Sequence, residues 1–197
     1  SSAASDVYKR QKLYGWKWIP NMVELNEINK IEPAGESYLL FVGRDDPVKN
    51  YPLFRKIARE VFNKFKVKSL ALGLCREDTE YLKHDKVSWE SVISYMKSAY
   101  ALVITSKQEG FPTVLLEAWA SGCPVIAKSI PPMKTISDMF PGVLLLFDTI
   151  DEALRRIESI NDEDLRKVIV NNGYKIVKNF DASRVANQYY ELYRGLL

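Results

Sequence analysis

The 197 residues are enough for one domain with a sizeable core, and an apolar content of 47% with 27% charged residues is ordinary for a globular chain. A net charge of +3 is too small to argue for nucleic acid and leaves room only for a weak attraction to phosphates or an anionic membrane surface. The two cysteines, Cys75 and Cys123, form neither a disulfide framework nor a metal pattern, and no apolar run reaches the ~18 residues of a membrane span.

Residues 1–11 show no period and no core pattern and read as a non-native or disordered leader, without a signal peptide. Residues 12–36 carry Trp16, Trp18, the tract Ile19-Pro20-Asn21 and Val23. The run 38–42 reads as a buried strand that ends at Gly43-Arg44. A loop through Asp45, Asp46 and Lys49 leads into a helix over about 51–65, where Leu53, Ile57, Val61 and Phe62 fall near helical spacing. This is a strand–glycine loop–helix unit of the parallel α/β kind.

A second strand is expected over 67–74, followed by a polar stretch that places His84 in an exposed charged loop. Cys75 and Cys123 both lie in apolar, strand-like contexts, so buried thiols in a reducing cytoplasm are expected. Ser88 is an N-cap candidate for a helix over about 90–100, with Trp89 packing against that helix in preference to stacking on a ligand.

The most informative run follows. Residues 101–105 form a buried strand, and Glu109-Gly110-Phe111-Pro112-Thr113-Val114-Leu115-Leu116-Glu117 follows within a few residues. Gly110 lets backbone approach a ligand, and Pro112 suits the first turn of a helix. The free N–H groups around Thr113 then make an anion site, aided by the helix dipole. Glu117 is the one charge in an apolar helix. A buried carboxylate is costly unless satisfied, and ligand hydroxyls would satisfy it; a surface position on an amphipathic helix is the alternative. Ser121-Gly122 stops the helix, and a strand runs through Val125 and Ile126.

Beyond it, Lys128 to Lys134 reads as a proline-containing loop, and 142–148 as a further strand. Helices follow over about 150–160, 163–179 and 182–196, with Asp162 and Asp181 as N-caps. Tyr189, Tyr190 and Tyr193 on the last helix are expected to pack within the domain or across a domain boundary in preference to facing a membrane. Strands alternate with helices from 38 to 148, which argues for a doubly wound, Rossmann-like parallel sheet. Ligands bind such sheets beyond the carboxyl ends of the strands.

The run from Ile104 to Ala127, with Glu109 and Glu117 eight positions apart and Ser121-Gly122-Cys123-Pro124-Val125 after them, resembles the donor-binding half of GT-B-type retaining glycosyltransferases, the group of glycogen and sucrose synthases. The resemblance implies a hinge remnant over 12–36 at Ile19-Pro20-Asn21, a donor domain over 37–197, and a missing N-terminal domain that binds a glycan or lipid-linked acceptor. It implies a nucleotide-diphosphate sugar donor, a UDP- or GDP-hexose, with hexosyl transfer to the acceptor. By the same resemblance Gly43, Arg44 and Lys49 hold the diphosphate, and Glu109 binds sugar hydroxyls. Gly110, Phe111, Pro112, Thr113 and Val114 shape the helix-start site, and Glu117 binds the ribose. Arg44, Lys49 and Glu109 are the implied catalytic residues.

Many relatives carry glycines and a Glu where this chain has Pro131, Pro132 and Lys134, so that segment bears on sugar identity. Asp45-Asp46 is adjacent, not spaced as Asp-x-Asp, so metal-independent transfer is expected. A cytoplasmic chain, with peripheral association at the membrane's inner face, fits the charge. Three other readings stay open: a donor-binding module inactive without its partner domain, a nucleotide-sugar epimerase of the same fold, and an interaction protein that binds no nucleotide.

Overall fold

The structure is a computed structural model that describes residues 19–195. The expected leader, Trp16, Trp18 and the last two residues lie outside them. Six parallel strands form one sheet: β1 (Leu39–Val42), β2 (Ser69–Leu72), β3 (Leu82–Asp85), β4 (Ala101–Ile104), β5 (Val125–Lys128) and β6 (Leu145–Phe147), in the order β3-β2-β1-β4-β5-β6. The helices are α1 (Leu25–Lys30), α2 (Tyr51–Phe65), α3 (Trp89–Ser98), α4 (Thr113–Ala120), α5 (Pro131–Met139), α6 (Ile150–Ser159), α7 (Glu163–Val177) and α8 (Ala182–Arg194). This is the expected doubly wound, Rossmann-like α/β fold. The strand order reverses between β1 and β4, which opens a crevice beyond their carboxyl ends.

Strand side chains alternate between two cores. Leu39, Phe41, Val103 and Ile126 pack under α2 and α6 with Phe54, Ile57, Val61 and Ile157. Leu40, Leu72, Leu102, Ile104 and Val125 pack on the other face with Ile93, Met96, Leu115, Leu116 and Trp119. Trp119 is anchored by its indole N–H on the Val143 carbonyl at 3.1 Å. Gly173 on α7 lets that helix close over it, because a Cβ there would stand 2.9 Å from the indole ring. The caps hold as expected: Ser88, Asp162 and Asp181 each accept from the first turn of their helix.

Several local expectations are corrected. Leu82 to Asp85 is strand, not exposed loop, and the His84 side chain is 3% exposed. It bonds the Tyr51 hydroxyl through Nε2 at 2.6 Å, and its backbone N–H donates to Asp78. The edge position explains the polar sequence, since Lys83 and Asp85 turn away from the core. Cys75 is exposed because β2 already ends at Leu72, whereas Cys123 is buried and its thiol is pushed up to about 12 by desolvation. The segment after Lys128 is no loop: Pro131 and Pro132 open α5, where a missing N–H costs nothing. Tyr189, Tyr190 and Tyr193 are exposed, with Tyr189 stacked on Tyr193.

Candidate functional site

Two loops leave adjacent strands at the reversal point. The first runs from Gly43 after β1 to Asn50 before α2, and the second from Thr105 after β4 to Pro112 before α4. They are tied together by backbone. The Lys107 N–H donates to the Val48 carbonyl at 2.8 Å, and the buried Thr105 hydroxyl donates to the Lys49 carbonyl at 2.9 Å. Asn50 closes the first loop at φ 53°, a left-handed conformation that Asn adopts more readily than most residues. The first loop also turns on itself: Asp46 accepts from the Val48 N–H through its side chain and from the Lys49 N–H through its carbonyl.

This stitching aims Lys49 across the crevice. Its Nζ donates to Glu109 Oε1 at 2.7 Å, and the Ser106 hydroxyl donates to the same oxygen at 2.6 Å. The pair is substantially desolvated, with side-chain exposures of 25% for Lys49 and 11% for Glu109. The cluster has unused capacity: an ammonium carries three donors and a carboxylate about four acceptor positions. Gly43 sits against the Lys49 stem, where an added Cβ would lie 3.3 Å from Lys49 Cγ. Arg44 is exposed at the head of the same loop.

Pro112 caps α4, one position earlier than the helix's first residue, and no side chain caps that terminus. The helix therefore presents first-turn N–H groups at Thr113 and Val114 toward the second loop. A Cβ on Gly110 would stand in open space, and its φ is not positive, so no strain requires a glycine there. One turn into α4, Glu117 is half-buried and accepts the Trp89 indole N–H at 2.9 Å. Trp89 is 38% exposed, so the expected core packing gives way to a contact with the candidate site.

Three features escaped the sequence. Ser106 shares the Glu109 oxygen with Lys49. Asn21 donates to the Phe111 carbonyl at 2.6 Å, and the Phe111 ring stacks on Phe180 with centroids 5.2 Å apart. Arg76, in the β2–β3 connection, grips both oxygens of Asp45 at 2.8 and 2.6 Å. No periodicity signals such contacts. The structure brings Lys49 and Glu109 together and sets Glu117 one helical turn from the Thr113 start. His84 stands apart, on the β3 edge. Among the described residues no cluster of His, Cys, Asp and Glu is arranged to hold a metal, and no helix is long and apolar enough to cross a membrane.

Over 171 residues the chain is 29% identical to an α-1,4-N-acetylgalactosaminyltransferase of Campylobacter jejuni that extends a diphosphoundecaprenol-linked glycan, covering 80% of this chain and 48% of that protein. An uncharacterised glycosyltransferase of Methanocaldococcus jannaschii is 26% identical over 172 residues, 81% of this chain and 49% of its own length. The chain thus spans about half the length of the curated relatives it matches. The fold superposes on sucrose-phosphate synthase from Thermosynechococcus elongatus with a TM-score of 0.77 at 21% identity, covering 100% of this chain and 57% of that one. It also matches the pneumococcal O-GlcNAc transferase GtfA, solved with UDP and GlcNAc, with a TM-score of 0.68 at 16% identity, 98% of this chain and 44% of that one. The family described as Glycosyl transferases group 1 matches residues 24–176, and the chain belongs to that family of GT-B-type glycosyltransferases.

Proposed function

We propose that this chain binds a nucleotide-diphosphate hexose, UDP- or GDP-linked, and serves its transfer to a glycan or lipid-linked acceptor with retention of configuration. The observation that carries the reading is the Lys49–Glu109–Ser106 cluster, set at the strand reversal between a glycine loop and an uncapped helix start. Arg44 and Lys49 neutralise the leaving diphosphate, the arginine as a planar fork and the lysine as a mobile point charge. The Thr113 and Val114 amides add donors to it. Glu109 receives hydroxyls of the transferred sugar on the acceptor positions that Lys49 and Ser106 leave open, and Glu117, oriented by Trp89, receives the ribose hydroxyls. Fixed cations supply the stabilisation of the departing charge, and loss of one such donor costs about 10²–10³ in rate. The reaction belongs to the cytoplasmic face of the membrane in this reading, and the diphosphoundecaprenol-linked substrate of the Campylobacter relative supports a lipid-linked acceptor.

Calorimetric titration with UDP and GDP tests the site. Arg44→Ala weakens binding by about 1.5–3 kcal/mol, the worth of a charge-assisted hydrogen bond. Unchanged affinity removes Arg44 from the site. A second reading, a donor-binding module inactive without an acceptor domain, is favoured by the half-length match to the curated relatives. Transfer by this chain alone, measured against a form extended with an acceptor domain, separates the two.

A further inference from the structure

A second feature of the fold points to another ligand. A parallel crossover ordinarily takes a dozen or more residues and a helix that covers the sheet. Here β2 and β3 are joined by nine residues, 73–81, without one. The outer flank of α2 beside β3 is left uncovered, and a cavity of about 440 Å³ lies there. Its lining includes Arg55, Lys56 and Arg59 from α2, Arg76 and Tyr81 from the short crossover, and Tyr51. No Asp or Glu is among the residues that line it.

Two of the four cations, Arg59 and Arg76, are held by ion pairs. Arg55 lies close enough to the Tyr81 side chain for the phenol to raise its pKa. Arg76 lies over the Tyr51 ring at 5.1 Å while its Nη2 grips Asp45. Arg55 and Arg59 stand one helical turn apart and so share a face. Two carboxylates are engaged with these cations: Asp45 with Arg76, and Glu60 with Arg59. Guanidinium groups fixed around a concave space suit a multiply charged phosphate group, which takes paired N–H donors from each fork.

We propose that this cavity is a binding site for a phosphate- or diphosphate-bearing ligand, separate from the crevice at the β1–β4 reversal. Because Arg76 also holds Asp45 in the β1–α2 loop, the ligand sits one ion pair away from that loop.

The test is titration of inorganic pyrophosphate by calorimetry into a Lys49→Ala background, which weakens the reversal-point crevice as a competing site. Binding persists there, and adding Arg55→Gln and Lys56→Gln weakens it about tenfold or more, as loss of charge-assisted bonds requires. Adding Lys167→Gln and Lys175→Gln, on the distant surface of α7, leaves it unchanged. Circular dichroism melts confirm that each variant is folded, and Arg59→Gln replaces the pair should it fail to fold. The proposal is overturned by no pyrophosphate binding in the Lys49→Ala background. It is equally overturned by affinity indifferent to Arg55 and Lys56, or by equal loss on removing the α7 lysines. Vesicles of phosphatidylcholine with and without phosphatidylglycerol identify the source. Sedimentation that needs the anionic lipid, Arg55 and Lys56 assigns a lipid headgroup, and pyrophosphate binding without it assigns a soluble phosphate ester.

Discussion

Replacing Glu109 by Gln separates the sugar from the nucleotide. The amide is nearly isosteric and keeps a carbonyl oxygen for Lys49 and Ser106, which now reach Glu109 Oε1 at 2.7 and 2.6 Å. Its charge is lost. A sugar hydroxyl that donated to a carboxylate, worth about 1.5–3 kcal/mol, then donates to a neutral acceptor worth about 0.5–1.5 kcal/mol. The difference, about 1–2 kcal/mol, weakens a nucleotide-diphosphate hexose about 5–30-fold. The nucleotide diphosphate alone behaves oppositely. It meets a Lys49 no longer paired with a carboxylate and loses a like-charged neighbour, so its affinity rises. Calorimetry with UDP, GDP and their hexose conjugates reads both, and because the diphosphate gain is common to both ligands the ratio of the two affinities falls by the sugar term, about 5–30-fold. Stability drops by about 1 kcal/mol, or roughly 2–4 °C in melting temperature for a chain of this size. Equal loss for hexose conjugate and bare nucleotide, or no loss for either, refutes the assignment of Glu109 to the sugar.

Other outcomes are equally concrete. Glu117→Gln weakens UDP or GDP more than inorganic pyrophosphate in the same titration; equal loss for both refutes the ribose role. Thiol labelling at pH 8 modifies Cys75 in the native chain and both cysteines in denaturant. Burial holds the Cys123 thiol up to about 12, so almost no thiolate forms there, and rapid native labelling of Cys123 contradicts its burial. Gly73→Ala costs about 2–4 kcal/mol in urea melts, because the new Cβ would meet the Gly43 carbonyl oxygen at 2.6 Å from a backbone at φ +92°. Gly35→Ala, at φ +86° with nothing within 4 Å, costs only about 1 kcal/mol, and equal costs would show that the contact with Gly43 is not tight.

The inner strands were legible because both faces of each are buried, so β1, β4 and β5 read as unbroken apolar runs. The edge strand β3 was not, since Leu82 is its one buried side chain of the apolar kind. Pro131-Pro132 reads as a loop from sequence because proline signals a stop and a start alike, and only the following turn decides. At the candidate site, the loop chemistry of Lys49 and Glu109 was visible, but their pairing across 60 positions was not. Trp89 misled for a related reason. An indole on a helix's first turn has apolar bulk that suggests the core and an N–H that seeks an acceptor, and here the acceptor is Glu117. Cys75 follows an apolar run that looks like strand to Leu74, but the strand ends at Leu72 and leaves the thiol outside.

The segment at residues 19–23 has a consequence for the order of assembly. Asn21 secures the Phe111 carbonyl across 90 positions, and Val23 bridges Asp181 and exchanges backbone bonds with Phe180 and Ala182. Closing chain loops of such length carries an entropic cost that climbs with the logarithm of separation. These seams knit last and fray first, so amides near Phe111 exchange with solvent through an opening smaller than global unfolding. A nascent polypeptide thus finishes its Phe111 turn only once Phe180 has emerged to stack on it.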